Sequence, residues 1–435
     1  MNVEERIAAG KKRREAVSRQ AHASARAKRR EFDPMAVLLA AGAGRVPQLL
    51  PVKYARMKAS PFAFFRGAVS IMGEDLARLP NSELLVQLCG DAHVQNMGSF
   101  AAPDGKVVFD LNDFDETIRG PWEWDVKRMA ASVVLAGRES GHDSAACRAA
   151  AEACAASYCR SMDELSRLPV LEMARRQVHR EERIAPIHAA LRQSERARPL
   201  DSLKKFTEPD GRGRPRFRDG RPVFWRVRGH AAREVVRSLE AYRETLAPER
   251  RYVFDMFRVV DVGFKVVGTG SVGLRDYAIL FEGNGLKDPM FLQIKQEILS
   301  AYARFLPGAA GQHEGRRAAE GQRAIQPLSD LLLGWTSIGE RQYLVRQLND
   351  HKGSIDLQRL RGGGLKSLAL VAGELLARGH ARSGDACEIR GYCGAGGKMA
   401  RALADFAMDY AGQAEADYKV FLGAIKSGKI KAAEG

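Results

Sequence analysis

Long apolar runs are absent from the sequence. In a chain of 435 residues, no stretch approaches the roughly 20 consecutive apolar residues that a helix needs to cross a bilayer. The N-terminus is basic and lacks the apolar core of a secretory signal peptide. Together these absences argue against a membrane protein and predict a soluble, cytoplasmic chain with no membrane partner.

Paired cysteine motifs are also missing. The chain has six cysteines, but no two of them form the C-x-x-C pair that is typical of zinc and redox sites. Because this pattern suits neither a zinc site nor a disulfide framework, we expect reduced, buried thiols. The six are Cys89, Cys147, Cys154, Cys159, Cys387 and Cys393.

Acidic residues are outnumbered. The sequence has 69 Lys and Arg against 53 Asp and Glu, a formal net charge of +16, which favours attraction to phosphate groups. The densest basic stretches, 11–31 and 180–199, are typical of solvated helices and lack the interleaved aromatic residues that stack on bases. The distribution argues against nucleic acid as the main partner, although a basic nucleic-acid-binding protein stays a further alternative.

The length and composition indicate two folded lobes. A chain of 435 residues exceeds the size of one hydrophobic core, and 45% hydrophobic with 28% charged residues is ordinary for a globular protein. The patterns predict a basic helix and linker over 1–50, a helical lobe over 51–254, a β-rich lobe over 255–350, and C-terminal helices over 351–435 that complete the helical lobe. No internal repeat is visible.

Acidic and amide side chains cluster between two short apolar runs. The motif "GDAHVQN" follows "LLVQLCG" and places Asp91 five residues before Asn96, while "NDFDE" places Asp113 after "KVVFDLN". Carboxylates beside buried strands need a metal or a cationic partner. Phosphoryl transfer uses one carboxylate to orient or deprotonate the acceptor and others to hold Mg²⁺. This spacing predicts Asp91 as the catalytic residue and Asn96 and Asp113 as magnesium ligands.

The neighbouring acids leave alternatives open. Asp115 and Glu116 fit either a supporting position behind the metal ligands or a capping position. Asp110 is an alternative metal ligand whose spacing fits less well. His93 is expected to support the loop, and Arg66 in "FFRG" to tie its helix to the catalytic lobe, with phosphate binding as the alternative.

A glycine-rich loop begins the second lobe. "VVGTGSVGLRDYAIL" contains a G-x-G-x-x-G pattern formed by Gly268, Gly270, Ser271 and Gly273. A dinucleotide-binding fold uses the same spacing but needs a helix at the last glycine and an acid about 20 positions later. Here a strand follows, so the loop is predicted to be the tip of a hairpin that covers nucleotide phosphates with backbone N–H groups.

A lysine follows on the next predicted strand. Lys295 in "FLQIKQE" is expected to reach the α and β phosphates of ATP. Such a lysine needs an anion to orient it, and the following polar helix offers Glu320, with Glu314 as the competitor. The glycine loop, lysine and acidic cluster together predict ATP and Mg²⁺ as cofactors.

These motifs resemble known families. "GDAHVQN" with "NDFDETIRGPWEWDVKRMA" resembles the aminoglycoside-phosphotransferase-like branch of the protein-kinase superfamily, which implies that Asp125 braces the catalytic loop. "SPFAFFRG", "GDAHVQN", "NDFDET", "GPWEWDVKR" and "VVGTGSVGLRDY" are more closely similar to bacterial domain-of-unknown-function family 2252, over about residues 45 to 425. The second resemblance implies a fold and a class of chemistry but no substrate.

The order of the motifs is reversed relative to ordinary kinases, because Asp91 precedes Gly268 by about 180 residues. We therefore expect an α+β, two-lobed protein-kinase-like fold that is circularly permuted, with an antiparallel-sheet nucleotide lobe and a larger helical lobe. The expected function is ATP-dependent phosphoryl transfer to a hydroxyl-type acceptor, either a small molecule or a protein. AMP transfer and a non-catalytic nucleotide-binding pseudokinase are the alternatives.

Overall fold

The protein has a mixed α+β fold with antiparallel sheets, as the sequence predicts. None of the helices described is both long and apolar enough to span a membrane. The computed structural model describes residues 1–25, 30–102, 105–177, 185–196, 199–266, 268–285, 287–306, 308, 312–348, 353–357 and 360–433.

Five helices form the N-terminal segment. Asn2 begins the first of them with a reciprocal capping box to Glu5, and Ser60 caps the fourth by accepting a hydrogen bond from the Ala63 amide. Apolar side chains of this segment pack against the last helix of the chain through Phe421. The helices are α1 (Val3–Ala16), α2 (Pro34–Ala40), α3 (Leu50–Met57), α4 (Pro61–Gly67) and α5 (Val69–Ala77).

Four short strands hold the two acidic loops side by side. They are β1 (Leu85–Leu88), β2 (Met97–Ala101), β3 (Val107–Leu111) and β4 (Ile118–Pro121). β1 pairs with β4, and β2 pairs with β3, both in the antiparallel sense. The loop after β1 and the loop after β3 therefore emerge next to each other, and the Asn112 amide donates to the Asn96 carbonyl at 3.1 Å.

The helical core combines segments from the middle and the end of the chain. α6 is buried from Trp122 to Gly137, and the C-terminal helices pack against it and α7. α7 and α14 approach so closely that a Cβ on Gly373 would lie 2.1 Å from the Cys154 carbonyl oxygen. The helices of this lobe are α6 (Trp122–Glu139), α7 (Ser144–Leu165), α8 (Val170–Arg175), α9 (Ala185–Arg196), α14 (Gly364–Ser383), α15 (Ala386–Cys393) and α16 (Gly397–Lys426).

A six-stranded antiparallel sheet forms the second lobe, in the order β11-β12-β10-β9-β8-β7. One face packs on α11 and α12, and β10 turns Lys295 and Glu297 toward the acidic loops on the other face. The elements are α10 (Pro199–Phe206), β5 (Thr207–Pro209), β6 (Pro215–Phe217), β7 (Phe224–Arg226), α11 (Gly229–Glu244), α12 (Pro248–Asp255), β8 (Arg258–Lys265), β9 (Asp276–Glu282), β10 (Pro289–Glu297), α13 (Glu314–Ile325), β11 (Gly334–Ile338), β12 (Arg341–Gln347) and β13 (Gly353–Ser354), which pairs with β2.

The packing of the sheet begins before residue 255, where the sequence places the start of this lobe. β7 pairs with β8, and Leu239 and Tyr242 of α11 are buried with Ile279 and Leu292 of the sheet. An amphipathic helix shows that it has an apolar face but not which lobe that face contacts. For that reason the sequence alone assigns α11 and α12 to the helical lobe.

All six cysteines are free and buried, which confirms the prediction of reduced thiols.

We expect a pH-dependent stability term from Asp276 on β9. Burial raises the pKa of this carboxyl from its ordinary value of 3.8 to about 6. Between those two values the folded state binds the proton more tightly than the unfolded state. The contribution to the free energy of unfolding is therefore largest below about pH 4 and falls by about 3 kcal/mol as the pH rises through 6.

Asp276→Asn removes this titration and retains an oxygen for the Gln293 amide, which donates to Asp276 at 2.6 Å. Chemical denaturation between pH 4 and 7 should show native stability falling relative to the variant as the pH rises. A difference between the two proteins that is the same at every pH would contradict this assignment.

Candidate active site

The loop after β1 is fixed by the start of α6. Asp125, in the first turn of α6, accepts hydrogen bonds from the backbone amides of Cys89 at 2.7 Å and Gly90 at 3.0 Å. His380 of α14 lies 3.2 Å from the same carboxylate. Gly90 has a φ of +87°, and a Cβ there would lie 2.1 Å from the Glu116 carbonyl oxygen. Asp125 thus holds the backbone of the loop after β1 in place.

The carboxylate of Asp91 is held by a buried guanidinium group. Arg128 of α6 donates to Asp91 Oδ1 through Nε at 2.8 Å, and its guanidinium group lies over the Phe65 ring. His93 Nε2 lies 3.7 Å from Asp91 Oδ2. Burial lowers the pKa of His93 to about 3, which keeps this ring neutral near neutral pH.

The amide of Asn96 joins the two acidic loops. Its Nδ2 donates to the backbone carbonyls of Asp91 and Asp113, each at 3.0 Å. Both amide protons are used in this way, so the oxygen is the atom that remains to accept a hydrogen bond or bind a cation.

Lys295 on β10 contacts both aspartates of the second loop. Its Nζ lies 3.1 Å from Asp113 Oδ1 and 2.5 Å from the Asp115 carboxylate. Burial lowers the pKa of Lys295, but the two carboxylates outweigh it and leave the pKa above its usual value. Burial, followed by repulsion from Asp113, raises the pKa of Asp115 to about 7. The Lys295 side chain, 3% exposed, thus ties the sheet to the acidic loops.

The pairing of Lys295 with a glutamate of α13 was a wrong expectation. Glu320 accepts from Arg316 at 2.7 Å on the exposed face of α13, and Glu314 accepts from Arg317 at 2.5 Å. Arg317 also donates to the Asp115 carbonyl at 2.8 Å. The helix therefore contacts this region through Arg317. Lys295 does not depend on a glutamate of α13, because Asp113 and Asp115 already neutralise its charge.

The other acidic residues near the loops differ in the residues that they contact. Glu116 accepts a hydrogen bond from the Ala301 backbone amide at 2.6 Å, which ties the second acidic loop to the segment after β10. Asp110 forms an ion pair with Arg378 at 2.8 Å inside the helical lobe, where both side chains are buried. This ion pair occupies the carboxylate that the sequence left as an alternative metal ligand.

Glu297 is a site residue that the sequence reasoning missed. It lies two positions after Lys295 on the same face of β10, and it is 3% exposed. Its Oε1 is buried and has no hydrogen-bond partner within the described ranges. Burial, and then the charge of Asp115, raises its pKa well above the usual value. The period-two spacing in "KQE" was the available signal, but both faces of β10 are buried, which hides it.

The glycine loop is folded onto the N-terminal segment. Arg45 donates to the carbonyls of Gly270 at 2.8 Å and Val272 at 2.7 Å, and Lys53 lies 3.3 Å from the same Gly270 oxygen. A Cβ on Gly270 would lie 4.0 Å from Asp91 Oδ2, so the tip of the glycine loop reaches the loop after β1.

The base of the loop has positive φ at both ends, +65° at Gly268 and +93° at Gly273. At Gly273 a Cβ would also come within 3.0 Å of the Arg45 side chain. Glycine relieves both constraints.

A cavity of about 800 Å³ lies between the two acidic loops and the glycine loop. Its wall also contains Glu297, Arg45, Lys53 and Arg66. A second cavity of about 280 Å³ is lined by Gln293 and Arg346 and shares Asn112 with the first. The residues predicted from the sequence that line the larger cavity are Asp91, Asn96, Asp113, Gly268, Gly270 and Ser271.

Residues 45–424 match the model of domain-of-unknown-function family 2252, described as an uncharacterised protein conserved in bacteria. The chain belongs to this family. The matched range contains both acidic loops, the glycine loop and β10, in agreement with the similarity expected from the motifs. Searches of curated proteins and of solved structures returned no significant match.

The bracing carboxylate of this family member gives a stability prediction. Asp125→Asn keeps the size of the side chain but replaces one acceptor oxygen by a donor, which leaves a buried loop amide unpaired. We expect a loss of about 1 to 3 kcal/mol in the free energy of unfolding, measured by chemical denaturation.

Asp143→Asn is the matched control, because Asp143 caps α7 from an exposed position and Asn caps a helix about as well as Asp. Equal losses in the two variants would show that Asp125 does not brace the loop.

Proposed function

We propose that the protein is an ATP-dependent phosphotransferase that binds Mg-ATP between its two lobes and phosphorylates a hydroxyl-type acceptor. The observation that carries this proposal is that segments far apart in the sequence meet at one cavity. The two acidic loops precede the glycine loop by about 180 and about 155 residues in the chain, yet Asp91, Asp113 and Gly270 line one cavity. Because these residues are far apart in the sequence, only the tertiary fold brings them to the same cavity.

The order of elements supports a permuted kinase-like arrangement. The segment from β1 to β4 presents two loops from two antiparallel pairs, with Asp91 and Asn96 in the first and Asp113 in the second. The glycine loop joins β8 to β9, and Lys295 lies on β10, which is paired with β9. Except for a helical glutamate paired with the lysine, which α13 does not supply, these are the parts that kinase-type phosphoryl transfer uses, with the sheet placed after the acidic loops.

The donors beside the second loop fit Mg²⁺. Asp113 is 42% exposed beside the cavity, and the amide oxygen of Asn96 is available as a neutral ligand. Within the described ranges, no three His, Cys, Asp or Glu side chains form a complete metal cage. This suits Mg²⁺, which commonly takes one or two protein carboxylates and completes its shell with phosphate oxygens and water. When bound, the ion would neutralise charge on the phosphates.

Each side chain of the cleft has a separate role in the proposed phosphoryl transfer. The acceptor oxygen forms a bond to the γ phosphorus, the bond from that phosphorus to the β–γ bridging oxygen breaks, and ADP leaves. Asp91 orients the acceptor hydroxyl and receives its proton, with its carboxylate held in place by Arg128. Backbone amides from Gly268 to Gly273 and the Lys295 ammonium group hold the phosphates.

An assay with labelled ATP tests the proposed class directly. Native protein is incubated with cell extract and with ATP labelled at either the γ or the α phosphate. Transfer of the γ label alone supports phosphotransfer. Transfer of the α label would indicate AMP transfer, and no transfer of either label would indicate a non-catalytic nucleotide-binding protein.

Asp91→Asn should lower turnover by about 10²- to 10⁴-fold, the usual contribution of a positioned base. Binding of Mg-ATP should stay nearly unchanged, since Asp91 contacts the acceptor rather than the nucleotide. Turnover and binding are measured on the purified variant, with Asp143→Asn as the control. Undiminished turnover in Asp91→Asn would remove Asp91 from the mechanism.

Mg-ATP should raise the melting temperature of the native protein. Binding to the folded state alone at about 100 times the dissociation constant adds about 2.7 kcal/mol to stability. Lys295→Met and Asp113→Asn should each reduce this rise, because they remove contacts to phosphate and metal from different lobes.

Lys287→Met provides the control, because Lys287 is exposed in the turn before β10. No response of the native protein to millimolar Mg-ATP, or a full response after both substitutions together, would refute a shared nucleotide site.

A further inference from the structure

Three cations from the N-terminal segment line the cavity beside Asp91. They are Arg45 after α2, Lys53 on α3 and Arg66 on α4. The side-chain hydrogen bonds that they make within the described part of the chain go to uncharged oxygens. Among the described residues, none of the three cations makes a direct ion pair with a carboxylate, although Asp91 and Glu116 attract them from farther away.

Lys53 is the most confined of the three. Lys53 is 3% exposed, and the one hydrogen bond that its ammonium group makes to the described residues goes to the Gly270 carbonyl at 3.3 Å. An ammonium group has three protons to donate, and a buried charge with so few partners is unfavourable. Burial, followed by repulsion from Arg45, lowers the pKa of Lys53 well below its usual value. An anion in the cavity would supply the missing hydrogen-bond acceptors.

Arg66 has unused donor capacity in the same place. Its Nη1 donates to Gln95 Oε1 at 2.6 Å, while its Nε is buried and unpartnered within the described residues. A Cβ on Gly270 would lie 3.6 Å from the Arg66 carbonyl oxygen and 4.0 Å from Asp91 Oδ2. The Arg66 backbone and the Asp91 carboxylate therefore flank the same point of the glycine loop.

The position of these cations in the cavity indicates which bound anion they contact. Lys295 lies on the sheet and reaches Asp113, whereas Lys53 and Arg66 belong to the helical side next to Asp91. A phosphate ester carries close to two negative charges at neutral pH, which matches a wall with several cations. On the basis of the proposed function, we propose that the acceptor itself carries a phosphate-type oxyanion, which binds to Lys53 and Arg66 while its hydroxyl faces Asp91.

Titration calorimetry with inorganic phosphate tests this site in the full chain. Native protein is first saturated with a non-hydrolysable Mg-ATP analogue, so that the nucleotide phosphate positions are filled, and phosphate is then added. We expect phosphate to bind, and Lys53→Met and Arg66→Gln each to weaken it by about tenfold or more. Arg66→Gln, which leaves the Lys53 contact to the glycine loop intact, should bind the analogue within about twofold of native. Lys58→Met, which changes an exposed residue just after α3, should leave both affinities unchanged.

Two results would overturn the proposal. Phosphate affinity that is equal in native protein and both variants would show that these cations hold no anion. Competition between phosphate and the analogue, with both weakened by Arg66→Gln, would assign the cations to the nucleotide. If the analogue fails to bind while phosphate binding still depends on Lys53 and Arg66, the anion site stands and the phosphotransferase proposal fails. Arg66→Gln carries the test if Lys53→Met does not fold.

Discussion

The ammonium group of Lys295 lies against the carboxylates of Asp113 and Asp115, and the arrangement of the cleft depends on this contact. It joins β10 of the sheet to the loop after β3 in the helical lobe. Removing three charges from water is costly, so the cluster is weak evidence for stability in itself. Removing one member, however, leaves uncompensated buried charge. The two lobes are thereby held in a relation that places the glycine loop over Asp91.

The second constraint is the seat of the glycine loop. The carbonyl oxygens of Gly270 and Val272 accept hydrogen bonds from Arg45, and Lys53 also donates to the Gly270 oxygen. The N-terminal segment thus closes the cavity on the side away from Lys295. This gives the cleft two different charged walls, one formed by acids with a single buried lysine and one formed by cations. Such asymmetry suits a reaction in which a metal-bound nucleotide and a separate acceptor meet.

The parts of the site that the sequence predicts are those with local signals. The spacing of Asp91, Asn96 and Asp113 between two short apolar runs predicts adjacent loops, and the structure places all three at one cavity. The partner of Lys295 could not be predicted in the same way, because it depends on how α13 docks and which of its faces meets the loops. Of the cations on the opposite wall, Arg45 and Lys53 have no motif around them, whereas Arg66 lies in "FFRG", where phosphate binding was the alternative to a structural position. Their position follows only from tertiary packing of α3 beneath the glycine loop.

Hydrogen–deuterium exchange with and without Mg-ATP tests most directly whether chain-distant segments form one nucleotide site. The account predicts slower exchange on nucleotide binding in three separate regions, residues 91–97, 112–117 and 268–276, because ligand contacts suppress the local opening that exchange requires. Protection should be lost together in Lys295→Met. Protection confined to one of the three regions, or none at saturating Mg-ATP, would contradict the shared cleft.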